Sequence, residues 1–293
     1  MKMKITSFAA AICALAMTSC SDKSGQSGGG EKKSIKVSGS NTMAQVGTAW
    51  AENFTSAKVS VAGGGSGIGI NELTEGRIDI CTSSRPMKDE EKKKIKDKFN
   101  KDVSEFIVGI DALAVFVNPG NPIKEISMEQ LKEIYINDGS ITTWEQVSPG
   151  GLTGKIEVLG RENTSGTYEF IHDAVLGKDK DGNKNKFRTT VAPQSSSQAI
   201  IDNLANMKGS IGYDGMAFND PKKVKWIAVS KKTGEPAVMP NADDARKGVY
   251  PLARKLYLYT VGTPEGPVKE FIDFAMSDAG QKLLAETGYV TLK

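Results

Sequence analysis

Residues 106–117 read FIVGIDALAVFV, and residues 250–261 read YPLARKLYLYTV. Both runs are long, apolar and rich in residues that favour extended structure. The prolines and glycine that follow the first run, NPGNP at residues 118–122, exclude a helix there. Two long extended segments that bracket the middle of the chain predict that one part is inserted into another and joined to it by two strands. Such an arrangement makes a hinge.

Short strand patterns alternate with helical patterns on both sides of residue 106. Residues 35–37, 59–61 and 78–80 are β-branched or apolar runs, and a helical pattern follows each of them. Strands that alternate with helices predict right-handed crossovers and a largely parallel sheet. The sequence therefore predicts an α/β protein. Its first lobe would contain residues 35–117 plus 250–293, and its second lobe residues 118–249.

The N-terminal part of the chain differs from the rest. Two lysines precede an apolar stretch, residues 5–17, which ends in small residues before Cys20. This pattern predicts a secretory signal over residues 1–19, with Cys20 at the position that bacteria lipidate; ordinary signal cleavage is the alternative. Residues 20–34 are rich in glycine, serine and lysine and predict a flexible tether. We therefore expect a protein that is secreted across the cytoplasmic membrane and lipid-anchored on the periplasmic or extracellular face.

Composition and charge exclude several classes of protein. The 293 residues are 39% hydrophobic and 25% charged, which is typical of a globular protein. The formal charge of +3 falls to +1 when the two signal lysines are removed, and this balance argues against a nucleic-acid partner. Only Cys20 and Cys81 follow the predicted cleavage point, so no disulfide framework is expected. Cys81 is interpreted as a small buried apolar residue.

Four turns that follow strand patterns are rich in serine, threonine or glycine. They are residues 38–42 (SGSNT), 63–67 (GGGSG), 82–85 (TSSR) and 161–167 (RENTSGT). The first N–H groups of a helix are unpaired and bind anions, and open α/β sheets bind ligands beyond the carboxyl ends of their strands. Serine and threonine before a helix are often only N-caps. Capping does not explain Arg85 and Arg161, whose planar donors suit a phosphate-like group.

Enzyme motifs are absent from the sequence. Residues 63–69, GGGSGIG, fit neither G-x-S-x-G, nor G-x-G-x-x-G, nor a P-loop. The single histidine, His172, excludes a site of several histidines and is predicted to be a surface or boundary residue. A hydrolase with Ser66 or Ser165 as nucleophile is an alternative that lacks a histidine beside either serine. We therefore expect no catalytic residue, no metal and no cofactor.

Several long stretches resemble, in the same order, the substrate-binding lipoproteins of bacterial phosphate ABC transporters. They are VSGSNTMAQVGTAWAENF, VAGGGSGIGINELTEGRIDICTSSRPMKDEE, GIDALAVFVNPGNP, LKEIYINDGSITTWEQV, GRENTSGTYEF, GSIGYDG, YPLARKLYLYT and AGQKLLAETGYV. The resemblance implies the two-lobe type II periplasmic-binding-protein fold. Each lobe would be a mixed, mostly parallel sheet flanked by helices, and two hinge strands would join the lobes.

The same resemblance implies a monomer that holds inorganic phosphate between its lobes and delivers it to an ABC permease in the membrane. The implied ligand-binding residues are Ser40, Asn41, Thr42, Ser66, Ser84, Arg85, Arg161, Ser165, Gly166 and Thr167.

The chain departs from the family pattern at one position. In some members an aspartate after the third strand accepts the proton of monohydrogen phosphate and repels sulfate. Arg85 is nearest to that position here, so Asp111 is the candidate acceptor; its alternative role is hydrogen bonding at the hinge or strand end. The residues are also compatible with a receptor for sulfate or molybdate, and with a sensory or adhesive module.

Overall fold

Strands and helices alternate along the described chain, residues 34–163, 165–218 and 220–293 of a computed structural model. The predicted signal, Cys20 and the tether up to residue 33 lie outside the described residues. The strands are β1 Ser34–Gly39, β2 Lys58–Ala62, β3 Ile80–Ser83, β4 Val103–Val117, β5 Glu125–Ser127, β6 Glu157–Arg161, β7 Ala192–Gln194, β8 Ser210–Gly215, β9 Lys225–Ser230 and β10 Ala253–Val261.

The helices follow the periodic patterns of the sequence. They are α1 Ala44–Asn53, α2 Ser66–Glu75, α3 Asp89–Phe99, α4 Met128–Tyr135, α5 Trp144–Val147, α6 Gly166–Ile171, α7 Ser197–Asn206, α8 Ala242–Arg246, α9 Gly266–Met276 and α10 Asp278–Glu286. A π-helical segment, His172–Leu176, continues α6, and a short 3₁₀ turn, Met216–Phe218, follows β8.

β4 and β10 lie in the middle of the sheet. The strand order is β2-β1-β3-β10-β4-β8-β6-β7, and β9 pairs with both β4 and β5. In the described sheet every antiparallel strand pair includes β4 or β10. The remaining pairs are parallel. Parallel strands need long crossover connections, which the intervening helices supply.

The two long extended segments pair with each other as antiparallel strands. The register runs from Val261 opposite Val103 to Ala253 opposite Ala112. Beyond that point β4 continues and pairs with β8 and β9 instead. The predicted extended structure is confirmed, except that residues 250–252 form a turn before β10. Pro251 lies in this turn, where its missing N–H group costs no sheet hydrogen bond.

The largest buried apolar clusters lie on different stretches of the chain. One cluster includes Trp50 and Phe271 and draws on residues 35–108 and 256–284. Another includes Trp144 and draws on residues 113–252. The described residues belong to one compact unit, and the division into two lobes stays a prediction.

Gly69 lets α2 pack closely on the ends of β1 and β3. A Cβ atom at Gly69 would lie 2.5 Å from Gly39 Cα, 2.8 Å from the Ser38 carbonyl oxygen and 3.1 Å from Cys81 Sγ. Cys81 itself is fully buried, as predicted. The close approach places Ser66, the first residue of α2, beside the strand ends that carry the other predicted turns.

Gly69→Ala should lower the free energy of unfolding by about 1–3 kcal/mol, because the added methyl group overlaps backbone that cannot move aside. Urea denaturation measures the change. Gly67→Ala in the same helix is the matched control, since the nearest atom to its Cβ would be Arg85 Nη2 at 3.8 Å. The control should lose no stability, because alanine favours helix over glycine. Equal losses in both variants would contradict the close packing at Gly69.

Candidate functional site

A cavity of about 290 Å³ lies where β1, β6 and β8 end. Seven of the residues predicted from the sequence line it: Asn41, Thr42, Asp111, Arg161, Ser165, Gly166 and Thr167. Four larger depressions, of about 500, 510, 400 and 440 Å³, contain none of the predicted residues. The chemistry of the lining, and not the size of the space, therefore identifies the candidate site.

Arg161 is the last residue of β6 and lies at the cavity wall with 15% of its side chain exposed. Its Nη1 donates to Asp214 Oδ2 at 2.9 Å and to Ser197 Oγ at 3.0 Å. Its Nε is buried and has no hydrogen-bond partner among the described residues. Asp214 is almost fully buried, and this burial raises the pKa of its carboxyl group while the neighbouring Arg161 opposes the rise. Arg161 is thus held in place and still has a donor to offer.

The turn before α6 touches the turn before α1. Ser165 caps α6, accepting a hydrogen bond from the Thr167 N–H at 3.2 Å. Thr42 donates from Oγ1 to the Gly166 carbonyl oxygen at 3.3 Å. A Cβ atom at Gly166 would lie 2.3 Å from Thr42 Cα, so only glycine permits this approach. Residues that are far apart in sequence therefore close one end of the cavity.

The serines of the first three turns form a separate buried cluster. Ser40 Oγ donates to Ser84 Oγ at 3.0 Å, and Ser66 Oγ lies 3.3 Å from Ser84 Oγ. The backbone N–H of Ser84 also donates to Ser66 Oγ, at 3.1 Å. These three serines do not line the cavity, although Ser40 directly precedes Asn41, which does. The structure thus divides the predicted residues into a cavity group and a neighbouring hydroxyl cluster.

Arg85 is paired with a carboxylate outside the cavity. Its Nη1 and Nη2 donate to the two oxygens of Glu91 at 2.9 and 2.8 Å. The hydrogen bond from Arg85 lowers the pKa of Glu91, and the same bond raises the pKa of Arg85. About a third of the Arg85 side chain is exposed, and it does not line the cavity. Its contact with a ligand stays a prediction.

Asp111 lies on β4 at the cavity and is paired with a residue that sequence reasoning missed. Arg254 of β10 donates from Nε to Asp111 Oδ2 at 3.2 Å. Burial raises the pKa of Asp111, and the neighbouring Arg254 opposes this rise. Arg254 and Asp214 lie in the stretches YPLARKLYLYT and GSIGYDG, where a charged residue inside an apolar strand was the available signal. Asp111, the predicted proton acceptor, therefore already forms an ion pair with Arg254.

His172 is buried, so the prediction of a surface or boundary position was wrong. The chain widens into a π-helical segment there, and the following loop folds back over the ring. The Asn185 carbonyl oxygen lies 2.8 Å from His172 Nε2. The ring is also close to Tyr168 and Phe187. Helical periodicity does not anticipate either the π-helical turn or the covering loop.

Metal-binding clusters and membrane-spanning helices are absent from the described ranges, 34–163, 165–218 and 220–293. These ranges contain no group of three or more histidine, cysteine, aspartate or glutamate side chains that could hold a metal ion. None of the helices in them combines the length and the apolar character that crossing a membrane requires.

Comparison with known proteins assigns the chain to a family. The sequence pattern of a PBP superfamily domain matches residues 24–279. The phosphate-binding protein PstS of Pseudomonas aeruginosa is 30% identical, over 91% of this chain and 85% of the relative. The PstS of Staphylococcus epidermidis is 32% identical, over 92% of this chain and 83% of the relative. The chain belongs to the PstS family of this superfamily.

Solved structures share the fold of this PstS-family chain. A possible phosphate-binding protein from Planctomyces limnophilus has a TM-score of 0.79 and 28% identity, covering 90% of this chain and 94% of that one. An ABC-type phosphate transport receptor from Vibrio cholerae has a TM-score of 0.71 and 29% identity, covering 88% and 100%. A putative phosphate ABC transporter substrate-binding protein from Clostridium perfringens, with bound phosphate, has a TM-score of 0.61 and 26% identity, covering 89% and 100%. The predicted type II periplasmic-binding-protein fold is confirmed.

Glu91→Gln should make stability less dependent on pH. The folded pKa of Glu91 lies below its ordinary value of 4.5, so the carboxylate stabilises the protein above that value and loses its contribution as pH falls through the folded pKa. The stability difference between wild type and variant should therefore shrink below a pH of about 4.5. Urea denaturation at several pH values measures it.

Glu90→Gln is the control for this experiment, because Glu90 is the exposed neighbour on the same turn of α3. If the difference in free energy of unfolding between wild type and Glu91→Gln stayed constant at every acidic pH measured, the paired state of Glu91 would be contradicted.

Proposed function

We propose that the chain is an extracytoplasmic receptor that binds inorganic phosphate with high affinity and delivers it to an ABC permease. The observation that carries the proposal is the cavity in which Arg161 lies with the hydroxyl residues Thr42, Ser165 and Thr167. Phosphate oxygens accept hydrogen bonds, and donors of this kind satisfy them. The names of the PstS relatives and the phosphate-bound Clostridium perfringens structure support this choice of ligand.

Arg161 supplies a charge-assisted hydrogen-bond donor in the proposed complex, and Asp214 compensates its charge. Hydrogen bonds that involve a charged partner contribute about 1.5–3 kcal/mol each. Asp214 and Ser197 fix the guanidinium, so little side-chain freedom is lost when an anion arrives. The hydroxyls of Thr42, Ser165 and Thr167 complete the set of donors at the cavity.

The hydroxyl cluster and Arg85 belong to the proposed site on the strength of the family resemblance. Ser40 joins the cluster to the cavity through its peptide bond to Asn41. Ser84 contacts Ser40 through the two hydroxyls at 3.0 Å, and Ser66 in turn contacts Ser84 at 3.3 Å. In this arrangement the cluster fixes the turn that presents Asn41 and Thr42 to the ligand.

Asp111 is the proposed hydrogen-bond acceptor for the proton that monohydrogen phosphate carries. Monohydrogen phosphate has one O–H group, which can donate a hydrogen bond to a carboxylate. Sulfate has no O–H group at neutral pH, and the negative charge of the carboxylate repels it. Asp111 and Asp214 both line the cavity. Two carboxylates beside the ligand favour an anion that can donate a hydrogen bond.

Closure of two lobes about β4 and β10 is the proposed mode of capture. Residues 35–117 plus 250–293 would form one lobe and residues 118–249 the other. One apolar cluster lies wholly within the first set of residues. The other draws mainly on the second set, with contributions from the end of β4 and the turn before β10, and the two clusters support the division. Thr42 and Gly166, which touch at the cavity, belong to different proposed lobes. Movement about the two strands would open this contact and admit the ligand.

The remaining parts of the proposal rest on the sequence. The receptor would be a monomer that is secreted across the cytoplasmic membrane and held at its outer face by lipid on Cys20. It needs no cofactor and no metal, and it performs no chemistry on the ligand. Relatives named as binding proteins support a receptor over an enzyme.

Competition between anions tests the ligand. The purified protein should bind phosphate, and sulfate or molybdate should fail to displace it at comparable concentration and neutral pH, because neither offers a proton to Asp111. Isothermal titration calorimetry measures both. Displacement by sulfate would make the protein a receptor for another tetrahedral oxyanion. Turnover of a phosphate ester in the same preparation would favour the hydrolase alternative.

Arg161→Ala should weaken phosphate binding by about tenfold or more, since it removes a charge-assisted donor. Calorimetry measures the affinity, and Arg77→Ala is the control, because Arg77 is exposed and does not line the cavity. The double variant Arg161→Ala/Asp214→Asn avoids leaving a buried carboxylate without its partner. Unchanged affinity in both Arg161 variants would remove Arg161 from the site.

A further inference from the structure

Arg254 lies directly behind the wall of the cavity. It is opposite Asp111 in the antiparallel register of β10 and β4, so the two side chains share one face of the sheet. Only 14% of the Arg254 side chain is exposed, and it is not among the residues that line the cavity. Arg254 is therefore connected to the candidate site through its neighbours.

The guanidinium of Arg254 contacts both sides of the candidate site. Its Nη2 donates to Thr42 Oγ1 at 2.8 Å and lies 3.4 Å from the Gly166 carbonyl oxygen, to which it also donates. Its central carbon lies 4.1 Å from the centre of the Phe170 ring, at a distance typical of a cation–π contact. Its Nε donates to Asp111. Four partners, on β4, on α6 and on the turn before α1, therefore fix one planar group.

These contacts determine which way the Thr42 hydroxyl points. A hydroxyl has one proton to donate and two lone pairs that accept, whereas a guanidinium only donates. Because Arg254 occupies a lone pair of Thr42 Oγ1, the Thr42 proton must point to another acceptor. In the structure that acceptor is the Gly166 carbonyl oxygen at 3.3 Å.

We propose that Arg254 is a positioning residue that orients the Thr42 hydroxyl as a hydrogen-bond donor to the bound anion. The inference rests on the proposed function. When phosphate enters, the Thr42 proton turns from the Gly166 carbonyl oxygen to a phosphate oxygen. Arg254 Nη2 remains as a donor to that carbonyl, so Gly166 keeps a partner after Thr42 has turned away. Asp111 accepts a hydrogen bond from the Arg254 guanidinium, which holds the guanidinium in place and compensates its charge.

A double-mutant cycle on phosphate affinity tests the proposal. Arg254→Met should weaken binding on the order of tenfold in the wild-type background. In the Thr42→Val background, which keeps the side-chain shape but has no hydroxyl, Arg254→Met should change affinity by less than about twofold. A merely structural role for Arg254 would produce the same loss in both backgrounds.

Controls separate this proposal from loss of folding and from failure of the proposed function. Arg246→Met removes a part-buried, paired arginine outside the cavity and should leave phosphate affinity unchanged. If Arg254→Met does not fold, as judged by thermal melting, the cycle is repeated with Asp111→Asn in all four proteins, so that no buried carboxylate loses its partner.

The outcomes are distinct. Wild-type protein that does not bind phosphate overturns the proposed function. Wild-type protein that binds phosphate, with an Arg254→Met loss that is absent or equal in both backgrounds, overturns only the role of Arg254.

Discussion

The antiparallel pairing of β4 with β10 is the constraint on which the rest of the structure depends. The two strands join segments that lie 143 residues apart at Asp111 and Arg254. Every antiparallel strand pair of the described sheet includes one of them, and the parallel units lie on either side. Because the register sets Arg254 opposite Asp111, the same pairing that organises the sheet also places an ion pair at the cavity, with Asp111 in the lining and Arg254 behind it.

Local patterns allowed much of the fold to be predicted from the sequence. Apolar periodicity located many of the helices and strands, and the long runs at residues 106–117 and 250–261 indicated two long strands. The turns after β1 and β6 could also be recognised, since a strand followed by glycine, serine and threonine has a local signature. Asn41, Thr42 and Gly166 therefore appeared as candidates before the structure placed them in one cavity.

The sequence could not predict which side chains form ion pairs or hydrogen bonds with each other, because these pairs depend on contacts between distant segments. Arg161 and Arg85 looked equivalent in sequence, each lying in a turn with hydroxyl residues. The structure pairs Arg161 with Asp214 at the cavity and Arg85 with Glu91 outside it. Likewise, nothing local distinguishes Ser40 from Thr42, yet Ser40 joins the buried hydroxyl cluster and Thr42 faces the cavity. His172 was misplaced because its burial depends on a covering loop.

Charge balance at the cavity explains why hydroxyl orientation matters. Arg161 and Arg254 are each compensated by a buried aspartate, so neither guanidinium leaves a full uncompensated charge for a ligand. An anion that enters such a site must be stabilised by directed donors as well as by net attraction. Hydroxyls can serve this purpose only if their protons point inward, and a lone hydroxyl is free to rotate. A contact from Arg254, which can only donate, removes that freedom from Thr42. In the proposed role, Arg254 therefore raises phosphate affinity through Thr42 and not through its own contact with the ligand.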